Sequence, residues 1–333
     1  MVITVPTQAR RHSGPRPINL NKDIPQVLRL LELVFGASVD VDGRQLLTGS
    51  ASLGQQPAFI WRLNPAASRL ALGYVWEIDG RIIGNATVLT TETAGRYLVV
   101  NVAVHPDYRR QGIARRLMQL IADLVRSQNG REILLQVVKE NVAARNLYRS
   151  LDYTIIGNMT AWYTASSRLR SIEPANNGSG SGPHIRELRP QEWRAAYRLD
   201  QASLHPDLNW PKMLPSDAYR TGFWRALANV FNGRKIETWV TTNTNNQLVG
   251  LGSILSEWGR SHQAIIRIHP VWYGQLERPL LAKLIRRLYY LPRRNVRIDH
   301  PDNDEVMNKL LAEANFQPRR TLTHMRLDIN KTS

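Results

Sequence analysis

The chain of 333 residues contains no cysteine, which removes disulfides, thiolate metal sites and a cysteine nucleophile from consideration together. Its eight histidines stand singly, with no i, i+4 pair and no compact cluster with carboxylates, so no metal-ligand spacing is present. No apolar run reaches the roughly 18 residues that a membrane-spanning helix needs. No membrane partner is therefore expected, and cytoplasmic residence is the expectation. Lysine is scarce, 7 against 37 arginines, an imbalance that reads as genomic base composition rather than phosphate recognition. Acidic residues are also in deficit, leaving a net charge of +17. The excess divides evenly, with 21 basic and 13 acidic residues before Gly182 and 23 and 14 after it, so neither half is a distinct basic arm. Such a surface favours anionic ligands without naming one: phosphorylated cofactors, nucleic-acid or ribosomal neighbours and acidic proteins all satisfy it.

What is present begins with enough apolar residues, 43% of the chain, for two domains that each bury a core. The Arg- and Pro-rich start, residues 1–17, has no apolar signal core and is expected to be a disordered tail. Pro174–Pro183, PANNGSGSGP, loses too much entropy on ordering to join a packed element. The expected organisation is a first domain over 18–170, a flexible linker over 171–183 and a second domain over 184–330.

In the first domain, Val27, Leu28, Leu31 and Val34 have helical spacing, and Tyr74–Glu77 and Ile82–Leu89 flank an Asp79-Gly80 turn as a hairpin. Tyr97–Val104 and Ile133–Val138 read as strands. Ile113, Leu117, Leu120, Ile121 and Leu124 form one helical face, and Ala144, Leu147, Tyr148 and Leu151 another. The alternation predicts an α/β fold with a sheet of mixed direction covered by helices. After the linker the order recurs: an apolar start at His184–Leu188, a helix from Gln191, a hairpin around Asn245-Asn246, a strand Ala264–Ile268, and a helix after His269-Pro270. Placing His105-Pro106 on His269-Pro270 brings Leu117, Leu120 and Ile121 onto Leu281, Leu284 and Ile285 without a gap.

The chemistry concentrates in Val102–Ala114, VAVHPDYRRQGIA, a strand running through an Arg-rich turn into a helix. A diphosphate needs converging backbone N–H donors, and a helix start supplies them with a favourable dipole. Gly112 lets the backbone approach a ligand, small Ala114 keeps the helix start clear, and Arg109, Arg110 and Arg115 add charge. An ordinary strand-to-helix turn with solvated arginines is the alternative.

Arg109-x-x-Gly112-x-Ala114 resembles the acetyl-CoA signature of the GNAT N-acetyltransferase superfamily. Asn141-x-x-Ala144-x-x-Leu147-Tyr148 followed by Asp152-Tyr153 is similar to a second segment of that family, with Asp152 where glycine is usual. The stretch from Asn101 through Tyr148 is most similar to N-terminal acetyltransferases of ribosomal-protein type. The resemblance implies two tandem GNAT-like domains, each a mixed, mostly antiparallel sheet flanked by helices, with acetyl-CoA as co-substrate. It implies that Val102, Ala103 and Val104 contact the pantetheine and acetyl group. Arg109, Arg110, Gln111, Gly112, Ile113, Ala114 and Arg115 would hold the diphosphate, Asn141 would touch the cofactor arm, and Tyr148 would protonate the leaving thiolate. By spacing alone Tyr148 reads as core.

The ribosomal-protein-type enzymes carry Leu-Glu-Val where this chain has Leu135-Gln136-Val137, and an amide accepts no proton at neutral pH. Glu77, Asp79 and Glu92 are the remaining base candidates in the first domain. A protein α-amino group, with a pKa of roughly 7.7–8.0, would react without a strong base. Under the repeat, Arg109, Gly112, Ala114 and Arg115 fall on Tyr273, Leu276, Arg278 and Pro279, so bulk is expected to obstruct the second phosphate cradle. In the last helix, one register step earlier, Asn141 falls on Asp304, Tyr148 on Leu311 and Tyr153 on Phe316.

These residues predict acetyl transfer to a primary amine of a small molecule, peptide or protein, carried by the first domain. The degenerate second domain would serve as an internal partner in a monomer, or cap the acceptor cleft with its apolar segment Leu208–Leu214. The alternative is a non-catalytic acyl-CoA-binding scaffold whose second domain docks nucleic acid or the ribosome.

Overall fold

The computed structural model describes residues 13–36, 72–174, 183–209, 214–220, 222 and 233–329. The core of the expected linker and Trp210 lie outside the described residues, as do the first 12 residues of the expected tail. Ser13–Pro17, expected within that tail, instead form strand β1. They pair antiparallel with the hairpin's first strand, from Ser13 opposite Ile78 to Pro17 opposite Tyr74. A sequence window poor in apolar residues is held here by pairing and by ion pairs of Arg16 rather than by side-chain burial.

In chain order, β1 is followed by α1 (Leu20–Phe35), β2 (Leu72–Ile78), β3 (Arg81–Thr90), β4 (Arg96–Val104), α2 (Ile113–Ser127), β5 (Glu132–Val138), α3 (Val142–Arg149) and β6 (Thr154–Ala165). Then come β7 (Ile185–Glu187), α4 (Trp193–Ser203), β8 (Arg234–Thr242), β9 (Leu248–Glu257), β10 (His262–Ile268), α5 (Glu277–Leu288), β11 (Asn295–Pro301), α6 (Glu305–Glu313) and β12 (Gln317–Asp328). Short 3-10 turns follow His105 and His269 at Pro106–Tyr108 and Pro270–Trp272. These two His-Pro pairs thus open the same kind of turn before a helix.

The chain forms two compact units. One comprises Met1–Gln136, Val142–Thr154 and Met325–Ser333, the other Val137–Asn141 and Ile155–His324. From Ile155 onward β6 therefore belongs to the second unit although it precedes the linker in sequence. Its pairing explains this: β6 runs antiparallel to β11, from Met159 opposite Pro301 to Ala165 opposite Asn295. In the first unit β1, β2, β3 and β4 are successive antiparallel neighbours, and β5 lies parallel beside β4. In the second unit β7, β8, β9 and β10 are antiparallel neighbours and β11 lies parallel beside β10.

The hydrophobic periodicities place the helices, with local shifts. In α1, Val27, Leu30 and Leu31 pack with Val75, Ile82 and Ala103. In α2 the buried residues are Ile113, Leu117, Met118, Ile121, Ala122 and Val125, so Leu120 and Leu124 flank the stripe instead of forming it. In α3 only Tyr148 is buried. The second unit buries α5 far more thoroughly, and its Leu280, Leu281, Leu284 and Ile285 join Ile266, Ile268, Leu310, Leu311 and Phe316 in one core.

The two units also end their last helices alike. Asp152 and Asn315 both adopt a left-handed φ of 65°, and the next residue's N–H returns to the helix, Tyr153 to the Tyr148 carbonyl at 3.1 Å and Phe316 to the Leu311 carbonyl at 2.8 Å. Aspartate and asparagine tolerate this conformation better than most residues. That accounts for Asp152 at a position where glycine was expected.

Candidate functional site

The parallel pairing of β4 with β5 runs from Arg96 opposite Glu132 to Val99 opposite Leu135 and stops there. Beyond it lies a bulge against β3, at which Asn101 takes a left-handed φ of 58°. Asn85, fully buried, holds the bulge by donating from Nδ2 to the Asn101 carbonyl at 2.7 Å and to the Thr87 hydroxyl at 3.0 Å. A bulge redirects the strand after it, and the redirected residues are Val102, Ala103 and Val104. Ala103 is buried while Val102 and Val104 are partly exposed. Asn85 was not singled out in the sequence; the signal was Asn101, an asparagine inside an apolar strand.

The chain then passes through His105 and the 3-10 turn to Arg109, whose Nε donates to the Val104 carbonyl at 3.4 Å. Arg110 and Gly112 have left-handed φ values of 65° and 76°. Together they turn the backbone sharply into α2, where Gly112 is the N-cap and has no side chain to cap the helix. The first intrahelical bond runs from the Arg116 N–H to the Gly112 carbonyl at 3.0 Å, so the N–H groups before it have no intrahelical partner and, among the described residues, no other. A Cβ built on Gly112 would meet nothing within 4 Å. Arg109, Arg110, Gln111 and Gly112 are exposed, which leaves a positive, donor-rich, open surface suited to a diphosphate.

Two of the expected contacts have other occupations. The Ile113 side chain is buried and packs toward Gly84, so only its backbone N–H faces the turn. Arg115 donates to the Ser150 hydroxyl at 2.6 Å and so ties the start of α2 to the end of α3.

Tyr148 lies on α3, and burial pushes its phenol up to about 12. Its ring is 5.9 Å from that of Tyr153, and its hydroxyl makes no hydrogen bond among the described residues. Asn141 immediately precedes α3, donates its N–H to the Val138 carbonyl at 2.9 Å and belongs to the second unit. The first unit by itself contains Val102–Val104, Arg109–Arg115 and Tyr148. Gln136 is partly buried at its edge.

Of the base candidates, Glu77 is buried and receives the Arg16 Nε at 2.7 Å. The same guanidinium makes two bonds to Asp23, at 2.6 and 2.8 Å. Glu77 is thus occupied in a structural ion network, while Asp79 is the exposed, left-handed residue of the hairpin turn and Glu92 is exposed.

The corresponding turn in the second unit is closed by a carboxylate. Glu277, 1% exposed, accepts the Gly274 N–H at 2.8 Å and the Leu276 N–H at 3.1 Å. Obstruction by bulk was expected, but Leu276, in the Gly112 position, turns its side chain into the core beside Gly250. The donors themselves are instead consumed, by a residue the repeat alignment had passed over.

The profile of the acetyltransferase (GNAT) family matches residues 44–153. Among known proteins, streptothricin acetyltransferase of Streptomyces lavendulae is 29% identical over 89 residues, 27% of this chain and 47% of that protein. The [ribosomal protein bS18]-alanine N-acetyltransferase of Escherichia coli K12 is 34% identical over 68 residues, 20% of this chain and 46% of that protein. The chain spans about half the length of these curated relatives. A GCN5-related N-acetyltransferase structure from Sphaerobacter thermophilus covers 95% of this chain and 96% of its own, with TM-score 0.58 and 15% identity. A tandem GNAT protein from the clavulanic acid biosynthesis pathway covers 97% and 100%, with TM-score 0.51 and 16% identity. At these identities the likeness is one of fold, and it extends over both units.

Proposed function

We propose that this chain transfers an acetyl group from acetyl-CoA to a primary amine, with the first unit carrying the reaction, a reading supported by the match of residues 44–153 to the acetyltransferase (GNAT) family. The observation that carries the reading is the uncapped start of α2, where Gly112 faces open space beside the bulged end of β4. Backbone N–H groups from Gly112 to Arg115 and the side chains of Arg109 and Arg110 would hold the diphosphate, and Val102–Val104 the pantetheine. Acetyl-CoA, when bound, supplies the acetyl group as a thioester.

The chain's own chemical contribution is the proton of Tyr148. A phenol raised to about 12 keeps that proton at neutral pH and can donate it as negative charge develops on the leaving sulfur. Tyr148→Phe is expected to bind acetyl-CoA normally and to slow turnover tenfold or more, on the order of a positioned general acid. Single-turnover rates beside calorimetric affinities check this. Unchanged turnover would remove Tyr148 from the mechanism.

On the opposite side of the reaction, Gln136 cannot accept a proton and Glu77 is bonded to Arg16, while Asp79 and Glu92 lie exposed in a turn and a strand connection, where a carboxylate is ordinarily solvated. The reading that follows is an acceptor that reaches the neutral form unaided. The relatives' names include a ribosomal-protein alanine and streptothricin, so a peptide beginning with alanine and streptothricin itself are the first acceptors to test. Release of free coenzyme A by the full chain with either one supports the reading. Cofactor binding without turnover on an amine panel would make the chain a binding scaffold instead.

If no enzyme base acts, kcat/KM follows the amine's own titration. It should level off near pH 8 for an α-amino group and near pH 10 for a lysine side chain, by their roughly 7.8 and 10.4 pKa values. A common break for both amines at lower pH would reveal an enzyme base and contradict this account.

A further inference from the structure

The two parts of the first unit's candidate site, the end of β4 and the start of α2, are both held by three consecutive residues of β3. The Ile83 carbonyl accepts the His105 N–H at 2.8 Å, where the chain leaves β4. Gly84 lies under the first turn of α2: a Cβ there would be 3.0 Å from Ile113 Cγ2 and 3.2 Å from Leu117 Cδ1, so the absent side chain lets the helix start settle against the strand. Asn85 reaches the bulge, donating to the Asn101 carbonyl at 2.7 Å.

The register of β3 against β4 shows what the bulge does. Asn85 stands opposite Ala103 and Thr87 opposite Val100, so Asn101 and Val102 together face Ala86. One extra residue reverses the facing of every side chain after it. Ala103 thereby lies on the face of Asn85 and packs with α1, while Val102 and Val104 take the other face and stay partly exposed. Asn101 is itself exposed, with its left-handed φ of 58°, so burial does not hold it there. The tether is Asn85, fully buried, whose Nδ2 serves the Asn101 carbonyl and the Thr87 hydroxyl. Its Oδ1 is buried and has no partner among the described residues. An unpaired buried acceptor is a cost to stability that an apolar side chain would not carry. What this asparagine does with its donors accounts for its presence.

We infer that Asn85 is a positioning residue for the cofactor: through the Asn101 carbonyl it fixes the bulge that presents the backbone of Val102–Val104 to the pantetheine, in step with the diphosphate cradle at the start of α2. This role presupposes the acetyl-CoA site proposed for the first unit. Asn85 touches no reacting atom, so its effect is on cofactor affinity and not on proton transfer.

The test is calorimetry with acetyl-CoA on the full chain, beside thermal melts that show each variant folds. Asn85→Leu has no donor and should bind acetyl-CoA about tenfold more weakly than the parent, on the order of one or two backbone hydrogen bonds to the ligand. Where leucine fails to fold, Asn85→Ala takes its place as the donorless variant. Asn85→Asp keeps the shape and makes the donor depend on pH. Its carboxylate has only acceptors to turn toward the Asn101 carbonyl, whereas the protonated acid, the form that burial favours, has one O–H to give. At about pH 5.5 it should therefore bind acetyl-CoA at least roughly threefold more tightly than the donorless variant, the return of one hydrogen bond. A loss of packing alone would give no such recovery. Parent-like affinity in the donorless variant, or an aspartate variant no better than it at pH 5.5, overturns the role of Asn85. A parent that does not bind acetyl-CoA would instead overturn the reading of the first unit, and this role with it.

Discussion

Replacing Gly112 with tryptophan is expected to weaken acetyl-CoA binding more than a hundredfold, roughly 2.7 kcal/mol, while the rest of the first unit stays folded. Two effects act together at this residue. Its φ of 76° is a conformation that costs an L-residue about 1–2 kcal/mol, which disturbs the turn that aims the N–H groups. The indole would also fill the open space in front of them, where the native residue has nothing within 4 Å of a Cβ position. Gly112→Ala separates the two, because it carries the conformational cost with little bulk and should retain part of the affinity. Calorimetric titration of acetyl-CoA into both variants, beside their thermal melts, is the measurement. Parent-like affinity in the tryptophan variant would move the diphosphate away from the start of α2.

Arg16→Ala is expected to produce the largest loss of stability, about 3–5 kcal/mol, the range for removing one partner of a buried ionic network. One guanidinium, itself partly exposed, serves both Asp23 and Glu77, whose side chains are 1% and 11% exposed. Removing it leaves two carboxylates in surroundings that cannot hydrate them, and Asp23 keeps only the Asn19 N–H at 2.7 Å among its strong partners. At roughly 2–4 °C per kcal/mol for a unit of this size, the melting temperature should fall on the order of 10 °C. Arg16→Lys should recover only part of this, since an ammonium cannot reproduce the fork that reaches both acids.

The effect should depend on pH in a definite direction. Burial alone would raise the Asp23 carboxyl, but the bonds from Arg16 and the Asn19 N–H prevail and hold it below its usual 3.8. A depressed acid contributes stability above its unfolded pKa and loses that contribution as pH falls through the folded one. The gap in melting temperature between the parent and Arg16→Ala should therefore be widest near neutrality and narrow below about pH 4. A gap that persists unchanged in acid would mean that packing of the arginine stem, not the ion pairs, sustains the fold.

The helices and strands around the candidate site were legible because their side chains obey local periodicities. The α2 stripe, the Asp79-Gly80 hairpin and the recurrence of His-Pro before both long helices all follow from spacing. Gly112 was legible as a glycine between arginines and a helical stripe that lets the backbone approach a ligand, and its left-handed φ of 76° is what the folded turn adds. Tyr148 was not separable by spacing from Leu147 and Leu151, and only its burial, apart from those neighbours, distinguishes it.

Other features depend on residues brought together from far apart in the chain, and no local window contains them. Arg16 meets Glu77 across β1 and β2, and a strand of so few apolar residues carries no periodic signal to announce it. β6 joins the second unit because its edge pairs with β11, more than a hundred residues later, and a Gly- and Ser-rich stretch of sequence says nothing about which strands pair. Glu277 closes the second phosphate cradle through backbone donors whose direction is set by the turn, not by residue type.

The sequence by itself therefore determined the repeated architecture, the place of the cofactor-like turn and the loss of that turn's glycine in the second half, since these rest on local pattern. Tertiary structure alone decided which acids are free and which donors are occupied. Hydrogen bonds and burial belong to pairs of residues, and those pairs exist only once the chain has folded.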